Sequence, residues 1–236
     1  MRFCSPVIPD MDRVAFYLKE SFEKKHLSNF GPAYQLLTQR LREYLQLDES
    51  KDILLTSSGH TALMAAYRAL DLTNLFIPAY TFKSTESAAT LQGIYRSLVD
   101  VNIDTGCLDW LPSYPANPPD GIVAVCALST IPNLDDLEAK AKKINAKLVI
   151  DGAATFGTPG IYNRGDGFCL SFHATKTFPI GECGALISDK RTIELAKQYI
   201  NFGFDKERIP KMTGMNAKIS EYTAAIGLAL LEKMPD

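Results

Sequence analysis

The sequence predicts an α/β fold in which a mostly parallel central sheet is covered by helices on both faces, a three-layer sandwich. Short runs of apolar or β-branched residues alternate with segments that repeat apolar residues at helical spacing. Parallel strands need crossover connections, and the helices of those connections cover both faces of the sheet. The predicted strands are residues 53–56, 75–77, 97–99, 122–128, 147–150, 168–172 and 185–187. The helices predicted between them are residues 61–70, 84–92, 134–144 and 192–199.

Further helices are predicted towards both ends of the chain. Residues 11–25 and 32–45 precede the first strand, and the second of these segments begins with proline, which is favoured in the first helical turn. The last helix is predicted over residues 217–233. A proline-rich stretch at residues 111–120 predicts an irregular connection. With 46% hydrophobic residues the chain can bury a sizeable core, so we expect one domain over residues 1–236, the N-terminal helices included.

The composition of the chain indicates which partners it can bind and in which compartment it is expected. The formal net charge of -2 provides no concentrated positive charge for phosphates, so nucleic acid is not an expected partner. The longest apolar run, residues 122–128, is far shorter than the roughly 20 residues of a membrane helix, and residues 1–10 lack the apolar stretch of a signal peptide. The five cysteines show neither a disulfide framework nor metal-ligand spacing. We expect a cytoplasmic protein without a bound metal, in which Cys126 and Cys169 are buried as small hydrophobes.

Polar residues that follow the predicted strands are the candidates for a ligand site, because ligands of open α/β sheets bind beyond the carboxyl ends of the strands. After residues 53–56 comes Ser-Ser-Gly-His-Thr at residues 57–61 and then a helix. Such a turn can present backbone N–H groups and the positive end of a helix dipole to a phosphate. Asp151 follows the strand at residues 147–150, and the residues after it are too small to cover it. An exposed helix cap is the alternative interpretation of Asp151.

Two further candidates lie later in the chain. Lys176 follows the predicted strand at residues 168–172 almost directly, although a lone lysine is usually solvated surface. Asn216 precedes the last helix, where an asparagine is ordinarily a cap or turn residue. Taken one at a time, these residues leave the function open.

The order and spacing of these pieces resemble one family, the DegT/StrS-type sugar aminotransferases, which are pyridoxal-phosphate enzymes of fold type I. The matching blocks extend over nearly the whole chain, and their ordered series is far more specific than any single block. They are SNFGP at 28–32, SGHTAL at 58–63, IPAYTF at 77–82, VDV at 99–101, VIDGAA at 149–154, SFHATK at 171–176, GALI at 184–187, GMNAKISE at 214–221 and AAI at 224–226. The resemblance implies the large domain of such an enzyme, without the family's smaller C-terminal domain.

The resemblance also implies a role for each candidate residue. Lys176 would carry pyridoxal 5′-phosphate as a Schiff base and would move protons during the reaction. Asp151 would keep the pyridine nitrogen of the cofactor protonated, so that the ring can accept electrons. The phosphate would be bound by the backbone N–H groups of Gly59 and His60 and by the hydroxyl of Ser171.

Four more residues complete the implied cofactor site. Ser58 belongs to the phosphate-binding turn. Phe82 matches the aromatic residue that stacks on the pyridine ring, with an ordinary core phenylalanine as the alternative. Ala154 stands at a position near the ring, and Asn216 matches a residue that reaches the phosphate of the neighbouring subunit, which implies a homodimer. His173 is implied to be structural.

The implied function is the transfer of an amino group from a donor such as glutamate to a keto group of a nucleotide-linked deoxysugar. Lys176 favours this function over the family's dehydratases, which have histidine at that place. Three residues depart from the family pattern: His60 replaces threonine, Ala154 replaces glutamine or histidine, and Lys218 replaces arginine.

Two other function classes stay open at the level of sequence. One is a catalytically idle homologue that retains the fold and the dimer surface as a binding or assembly partner. The other is a nucleotide-binding α/β protein without pyridoxal chemistry, for which the chain lacks GxGxxG and GxxxxGK[ST] motifs in the expected context.

Overall fold

The computed structural model describes residues 5–108 and 118–235. Its strands are β1 (Lys51–Thr56), β2 (Asn74–Pro78), β3 (Tyr95–Val99), β4 (Gly121–Val125), β5 (Lys147–Asp151), β6 (Gly167–Ser171) and β7 (Gly184–Asp189). Its helices are α1 (Met11–Glu23), α2 (Pro32–Tyr44), α3 (Gly59–Ala69), α4 (Lys83–Thr90), α5 (Leu134–Lys143), α6 (Lys190–Tyr199) and α7 (Glu221–Leu231). None of the helices in the described residues combines the length and the apolar character that a membrane-crossing helix needs. The connection predicted at residues 111–120 lies mostly outside the described residues.

The seven strands form one sheet in the order β1-β7-β6-β5-β4-β2-β3. β7 runs antiparallel to both of its neighbours, and the other neighbouring pairs are parallel. The predicted α/β sandwich with a mostly parallel sheet is therefore confirmed. Because the parallel strands point the same way, the carboxyl ends of β4, β5 and β6 lie side by side at one edge of the sheet.

Two hydrophobic cores, one on each face of the sheet, explain why the strands appear in the sequence as apolar runs. Successive side chains of a strand point to opposite faces. In β5, Leu148 and Ile150 belong to the core that includes side chains of α1, α2, α5 and α7, whereas Val149 belongs to the core that includes side chains of α3, α4 and α6. A strand buried on both faces needs apolar residues at every position rather than at alternate ones.

The strand predicted at residues 122–128 is shorter than expected, because β4 ends at Val125. Residues 127–129 form a 3₁₀ turn in which Leu128 and Ser129 adopt left-handed backbone conformations, with φ of 48° and 68°. Such φ values are incompatible with a strand. The apolar run therefore continues past the strand into the turn.

The last helix begins at Glu221, so the predicted start at residue 217 was wrong. The Ser220 side chain accepts a hydrogen bond from the Thr223 backbone N–H and caps the helix there. The backbone of Ala217 is held differently: its N–H donates to Ile200 O, and its carbonyl accepts from Ser57 N–H. These bonds tie the segment before the helix to the end of α6 and to the residue that follows β1.

Glu221 links the last helix to the first two. Its buried carboxylate accepts hydrogen bonds from the backbone N–H groups of Ala33 and Tyr34, at 2.7 and 3.3 Å, and from the Ser21 hydroxyl, at 2.8 Å. Helix α2 follows Gly31 and has no side-chain cap of its own, so a carboxylate from the far end of the chain satisfies its first N–H groups. A Cβ on Gly31 would lie 2.7 Å from the carboxyl carbon, which explains the glycine.

Candidate functional site

A cavity of about 640 Å³ opens at the carboxyl ends of β4, β5 and β6, beside the first turns of α3 and α4. Its volume lies within the roughly 300–1,000 Å³ of typical ligand pockets. Eight of the nine predicted site residues line it: Ser58, Gly59, His60, Phe82, Asp151, Ala154, Ser171 and Lys176. The structure thus brings together residues that are more than 100 positions apart in the sequence.

Asp151 is the last residue of β5 and is only 6% exposed. Its Oδ2 accepts a hydrogen bond from the Thr85 hydroxyl at 2.7 Å, and its Oδ1 accepts from the Ala153 backbone N–H at 3.2 Å. Burial raises the pKa of this carboxyl, while the two hydrogen bonds and the charge of Lys176 act in the opposite direction. The next α-helix begins only at Lys190, so the alternative interpretation of Asp151 as an exposed helix cap was wrong.

Lys176 lies in the connection between β6 and β7 and is half-buried on the cavity wall. Its backbone N–H donates to the carbonyl of His173 at 2.8 Å, which closes a turn. Two backbone hydrogen bonds close the base of this connection: the Ala174 N–H donates to Gly181 O at 2.9 Å, and the Gly181 N–H donates to Phe172 O at 3.2 Å. These backbone bonds determine where the amine enters the cavity.

A buried aromatic cluster supports the segment that carries Lys176. Phe172 and Phe178 lie on either side of the lysine in sequence, and both pack against Phe156. The ring centroid of Phe156 lies 5.4 Å from that of Phe172 and 4.6 Å from that of Phe178. The Thr177 hydroxyl also donates to the Phe156 carbonyl at 3.1 Å. Aromatic packing of this kind keeps a functional loop rigid, as a preorganised site requires.

The first turn of α3 forms an anion-binding wall of the cavity. The Ser58 hydroxyl accepts a hydrogen bond from the Thr61 N–H at 3.2 Å, and the Thr61 hydroxyl accepts from the Ser58 N–H at 3.0 Å, which makes a capping box. Gly59 and His60 are the first two residues of the helix, and their N–H groups have no intrahelical acceptor. Donors of this kind, together with the helix dipole, favour a phosphate or carboxylate.

Close packing holds this turn against the last residue of β6 and the first residue of β7. A Cβ on Gly59 would lie 2.9 Å from the Cβ of Ser171, and a Cβ on Gly184 would lie 2.5 Å from the Gly59 nitrogen. Ser171 is 9% exposed, and its hydroxyl oxygen accepts from the His173 N–H at 3.4 Å. The hydroxyl proton of Ser171 has no acceptor within the described residues, so it is available to a ligand.

Exposed apolar side chains form the rim of the cavity. Phe82 is 80% exposed at the start of α4, so its alternative interpretation as a core phenylalanine was wrong. Tyr80 and Leu128, which the sequence analysis did not single out, line the same cavity and are 51% and 85% exposed. The Ala154 carbonyl accepts a hydrogen bond from the Ser129 hydroxyl at 2.8 Å, which joins the segments after β4 and β5.

The cysteines of the cavity wall are neutral thiols. Burial raises the pKa of Cys126 to about 12 and that of Cys169 well above its usual value. Both results agree with the structural role predicted for these residues. His173 also lines the cavity; its Nδ1 accepts a hydrogen bond from the Thr175 N–H at 3.2 Å, and its Nε2 lies 3.5 Å from Glu182 Oε1.

Sequence reasoning missed the hydroxyl groups at the start of α4. Thr81 and Ser84 line the cavity, and Thr85 reaches Asp151 from beneath it. The Ser84 hydroxyl lies 2.9 Å from His60 Nδ1 and connects the first turns of α4 and α3. These residues follow a predicted strand, so a search of every strand end for hydroxyl groups would have found them.

Asn216 lies outside the cavity of its own chain and is exposed. Its Oδ1 accepts a hydrogen bond from Lys218 Nζ at 2.8 Å, and its backbone pairs with Asn201. Lys218 Nζ also lies 4.7 Å from the ring centroid of Phe202, and burial lowers the pKa of this amine. Asn216 and Lys218 thus form a polar pair on the surface.

Comparison with known proteins identifies one family and several relatives. The model of the DegT/DnrJ/EryC1/StrS aminotransferase family matches residues 11–236. A dTDP-4-amino-4,6-dideoxy-D-glucose transaminase of Shigella dysenteriae is 32% identical over 238 residues, which cover 97% of this chain and 64% of that protein. A 3-oxo-glucose-6-phosphate:glutamate aminotransferase of Bacillus subtilis is 30% identical over 210 residues, which cover 84% of this chain and 46% of that protein.

A solved structure has the same fold. The crystal structure of DesI in the presence of its TDP-sugar product superposes with a TM-score of 0.86 and 27% sequence identity, covering 96% of this chain and 59% of DesI. The chain therefore spans between 46% and 64% of the length of these three proteins.

Proposed function

The chain belongs to the DegT/DnrJ/EryC1/StrS aminotransferase family, and from this membership we propose that it binds pyridoxal 5′-phosphate and transfers an amino group to a keto group of a nucleotide-linked deoxysugar. The amino donor in this proposal is an amino acid such as glutamate. The observation that carries the proposal is a single cavity lined by Lys176, by Asp151 and by the first turn of α3. An amine, a carboxylate and an anion-binding helix start are the three groups that this cofactor needs.

The first turn of α3 would hold the cofactor phosphate. The N–H groups of Gly59 and His60 are free of intrahelical acceptors, and Ser171, which lines the same cavity, packs against Gly59. Ser58 keeps these donors in place through its capping box with Thr61. The substitution of threonine by His60 leaves the backbone donor unchanged, so the phosphate site keeps its main interactions.

Asp151 and Lys176 would act on the ring and on the reacting carbon. Pyridoxal phosphate, when bound, supplies an electron-accepting ring. Asp151 would hold the ring nitrogen by accepting a hydrogen bond from it, a charge-assisted interaction of about 1.5–3 kcal/mol. Lys176 Nζ would hold the cofactor covalently, and the amine that the amino donor sets free by displacing it would move the proton of the donor's Cα to the cofactor carbon from which it was displaced, work that contributes about 10²–10⁴-fold in rate.

The cavity rim would cover the ring and meet the substrates. Phe82 offers an exposed aromatic face, which suits stacking on a pyridine. Ala154 is too small to make a polar contact with the ring, so the side-chain interaction that glutamine or histidine would supply at this place is missing.

We further propose a homodimer in which Asn216 reaches the phosphate of the neighbouring subunit. The support is the position of Asn216, exposed on the surface and outside the cavity of its own chain. A cytoplasmic location is part of the same proposal, because the four cysteines in the described residues are free and buried, as in proteins of reducing compartments.

Borohydride reduction in the presence of pyridoxal phosphate, followed by peptide mapping, tests the proposed function. We expect a pyridoxyl adduct on Lys176, and the absence of an adduct there would remove the basis of the proposal. Incubation of the loaded protein with glutamate then separates an active aminotransferase from an idle homologue. Only the active enzyme converts the aldehyde form of the cofactor to its amine form.

Gly184→Ala is expected to weaken cofactor binding. The new Cβ would lie 2.4 Å from the backbone carbon of Ser58 and 2.5 Å from the nitrogen of Gly59, so the first turn of α3 must move. We expect the dissociation constant of pyridoxal phosphate to rise by at least about tenfold, the equivalent of 1.4 kcal/mol. The matched control is Gly167→Ala on the neighbouring strand, where the nearest atom, in Leu186, lies at an ordinary 3.5 Å. Equal affinities of the two variants would contradict the phosphate role of this turn.

A further inference from the structure

We propose that Thr85 is a positioning residue that holds Asp151 as an oriented carboxylate, and that Thr81 fixes the direction of the Thr85 hydroxyl. The inference rests on the proposed function, because it concerns the carboxylate that would meet the ring nitrogen of pyridoxal phosphate. It adds a chain of two hydroxyl groups, of which Thr81 lines the cavity and Thr85 is buried behind the lining.

Thr85 makes the shorter of the two hydrogen bonds to the Asp151 carboxylate. Thr85 is completely buried, and its hydroxyl donates to Asp151 Oδ2 at 2.7 Å. Within the part of the chain that the structure describes, the other carboxylate oxygen accepts only the longer bond from the Ala153 N–H, at 3.2 Å. The backbone of α4 holds Thr85 in place, and the Tyr67 hydroxyl donates to the Thr85 carbonyl at 3.3 Å.

The direction of the hydrogen bonds follows from counting protons. A threonine hydroxyl has one proton, and Thr85 uses it on Asp151. The contact of 2.7 Å between the Thr81 and Thr85 hydroxyl oxygens must therefore run from Thr81 to Thr85. A hydroxyl that accepts one hydrogen bond becomes a better donor in the next, so Thr81 strengthens the bond on Asp151.

This chain of hydroxyl groups favours the charged form of a buried acid. Burial disfavours the carboxylate of Asp151, and the Thr85 hydroxyl is the first among the groups that oppose this effect. A neutral Asp151 could not stabilise a protonated ring nitrogen. Removal of the Thr85 hydroxyl is therefore expected to raise the pKa of Asp151 further and to weaken cofactor binding most at low pH.

Other titratable groups also surround Asp151. Lys176, whose charge lowers the pKa of Asp151, lines the same cavity as His60, His173 and Glu182. Cys126, Cys169 and Tyr67 interact with Asp151 and have raised pKa values themselves. All of these groups are the same in every Thr85 variant. A difference between the variants in the pKa of Asp151 therefore results from the Thr85 hydroxyl.

Three variants separate positioning from stability. Thr85→Val removes the hydroxyl and keeps the shape of the side chain, whereas Thr85→Ser keeps the hydroxyl. The matched control is Thr192→Val at the start of α6, because the Thr192 hydroxyl donates to Asp189 Oδ2 at 2.6 Å, outside the cavity lining. The control removes the same kind of bond without a connection to Asp151.

The first measurement is the affinity for added pyridoxal phosphate, followed by absorbance at several pH values. We expect Thr85→Val to bind about 10- to 100-fold more weakly than the wild type near neutral pH, with the loss shrinking as the pH rises. Thr85→Ser should restore the affinity to within about threefold, and Thr192→Val should leave it unchanged. If Thr192→Val lost as much affinity for pyridoxal phosphate as Thr85→Val, the loss would be due to lower protein stability, and the inference would be overturned.

The second measurement uses the cofactor-free protein and follows the ¹³C shift of the Asp151 carboxyl with pH. We expect a higher midpoint in Thr85→Val, and the wild-type midpoint in Thr85→Ser and Thr192→Val. An unchanged midpoint in Thr85→Val overturns the inference. If Thr85→Val does not fold, Thr81→Val takes its place and is expected to raise the midpoint by a smaller amount. An unchanged midpoint in Thr81→Val would then overturn the inference.

The two proposals fail separately in these experiments. A wild-type protein that does not bind pyridoxal phosphate overturns the proposed function, while the carboxyl titration still decides the role of Thr85. Suppose that the wild-type protein binds the cofactor and that Thr85→Val has the same affinity and the same titration midpoint of the Asp151 carboxyl. That result overturns only the inference about Thr85.

Discussion

Lys176→Ala is expected to abolish covalent cofactor attachment and to lower the rate of amino transfer from glutamate by at least about 10²–10⁴-fold, because the same amine both binds the cofactor and moves the proton. Noncovalent binding should persist at reduced affinity, since Asp151 and the first turn of α3 are unchanged. The measurements are borohydride labelling, absorbance titration with pyridoxal phosphate, and single-turnover conversion of the cofactor to its amine form.

The control for this prediction is Lys206→Ala, because the Lys206 side chain is 78% exposed and lies outside the cavity lining. This variant should be labelled by borohydride and should convert the cofactor to its amine form as the wild type does. Labelling of Lys176→Ala at wild-type level would show that another amine carries the cofactor. Rapid conversion by Lys176→Ala would exclude this lysine from proton transfer.

Glu221→Ala is expected to lower the free energy of unfolding by about 3–5 kcal/mol. The substitution leaves the Ser21 hydroxyl and the N–H groups of Ala33 and Tyr34 buried without their acceptor, and it opens a void beside Gly31. Each unsatisfied buried donor costs about 1–3 kcal/mol, and partial relaxation reduces the sum. Urea denaturation followed by circular dichroism measures the change.

Two further substitutions make the prediction about Glu221 specific. Glu20→Ala, which removes an exposed carboxylate paired with Lys24 on α1, should change stability by less than about 0.5 kcal/mol. Glu221→Gln keeps one acceptor oxygen but turns an amide NH₂ towards the N–H groups of α2, so its loss should lie between the other two. A change below about 1 kcal/mol in Glu221→Ala would mean that water or another group caps α2.

Most of the fold was predictable from local patterns. Each predicted strand and helix has a counterpart, because a strand buried on both faces requires an uninterrupted apolar run and a helix requires apolar residues at helical spacing. The pattern did not indicate that β7 runs antiparallel to its neighbours, since strand direction leaves no mark on apolar spacing. The boundaries at residues 125 and 221 depended on a left-handed turn and on a helix cap, which apolar periodicity does not report.

The positions of most candidate residues around one cavity were predictable for a related reason, whereas the roles of these residues stay predictions. Ligand-binding residues of an open α/β sheet follow strand ends, so the positions of Asp151, Lys176 and the turn at residues 57–61 could be found along the chain. The assignment of Asn216 to a neighbouring subunit and the homodimer stay predictions.

Local patterns were enough to predict the alternation of strands and helices and the reactive groups at the ends of strands, because both depend on residues that are neighbours in the chain. The hydrogen-bond partners of those groups depend instead on how the whole chain packs. Thr85 and Asp151 are separated by 66 positions, and Ala33 and Glu221 by 188. A hydrogen bond between such distant residues has no periodicity along the chain, because only the packing of the folded chain brings the two residues together.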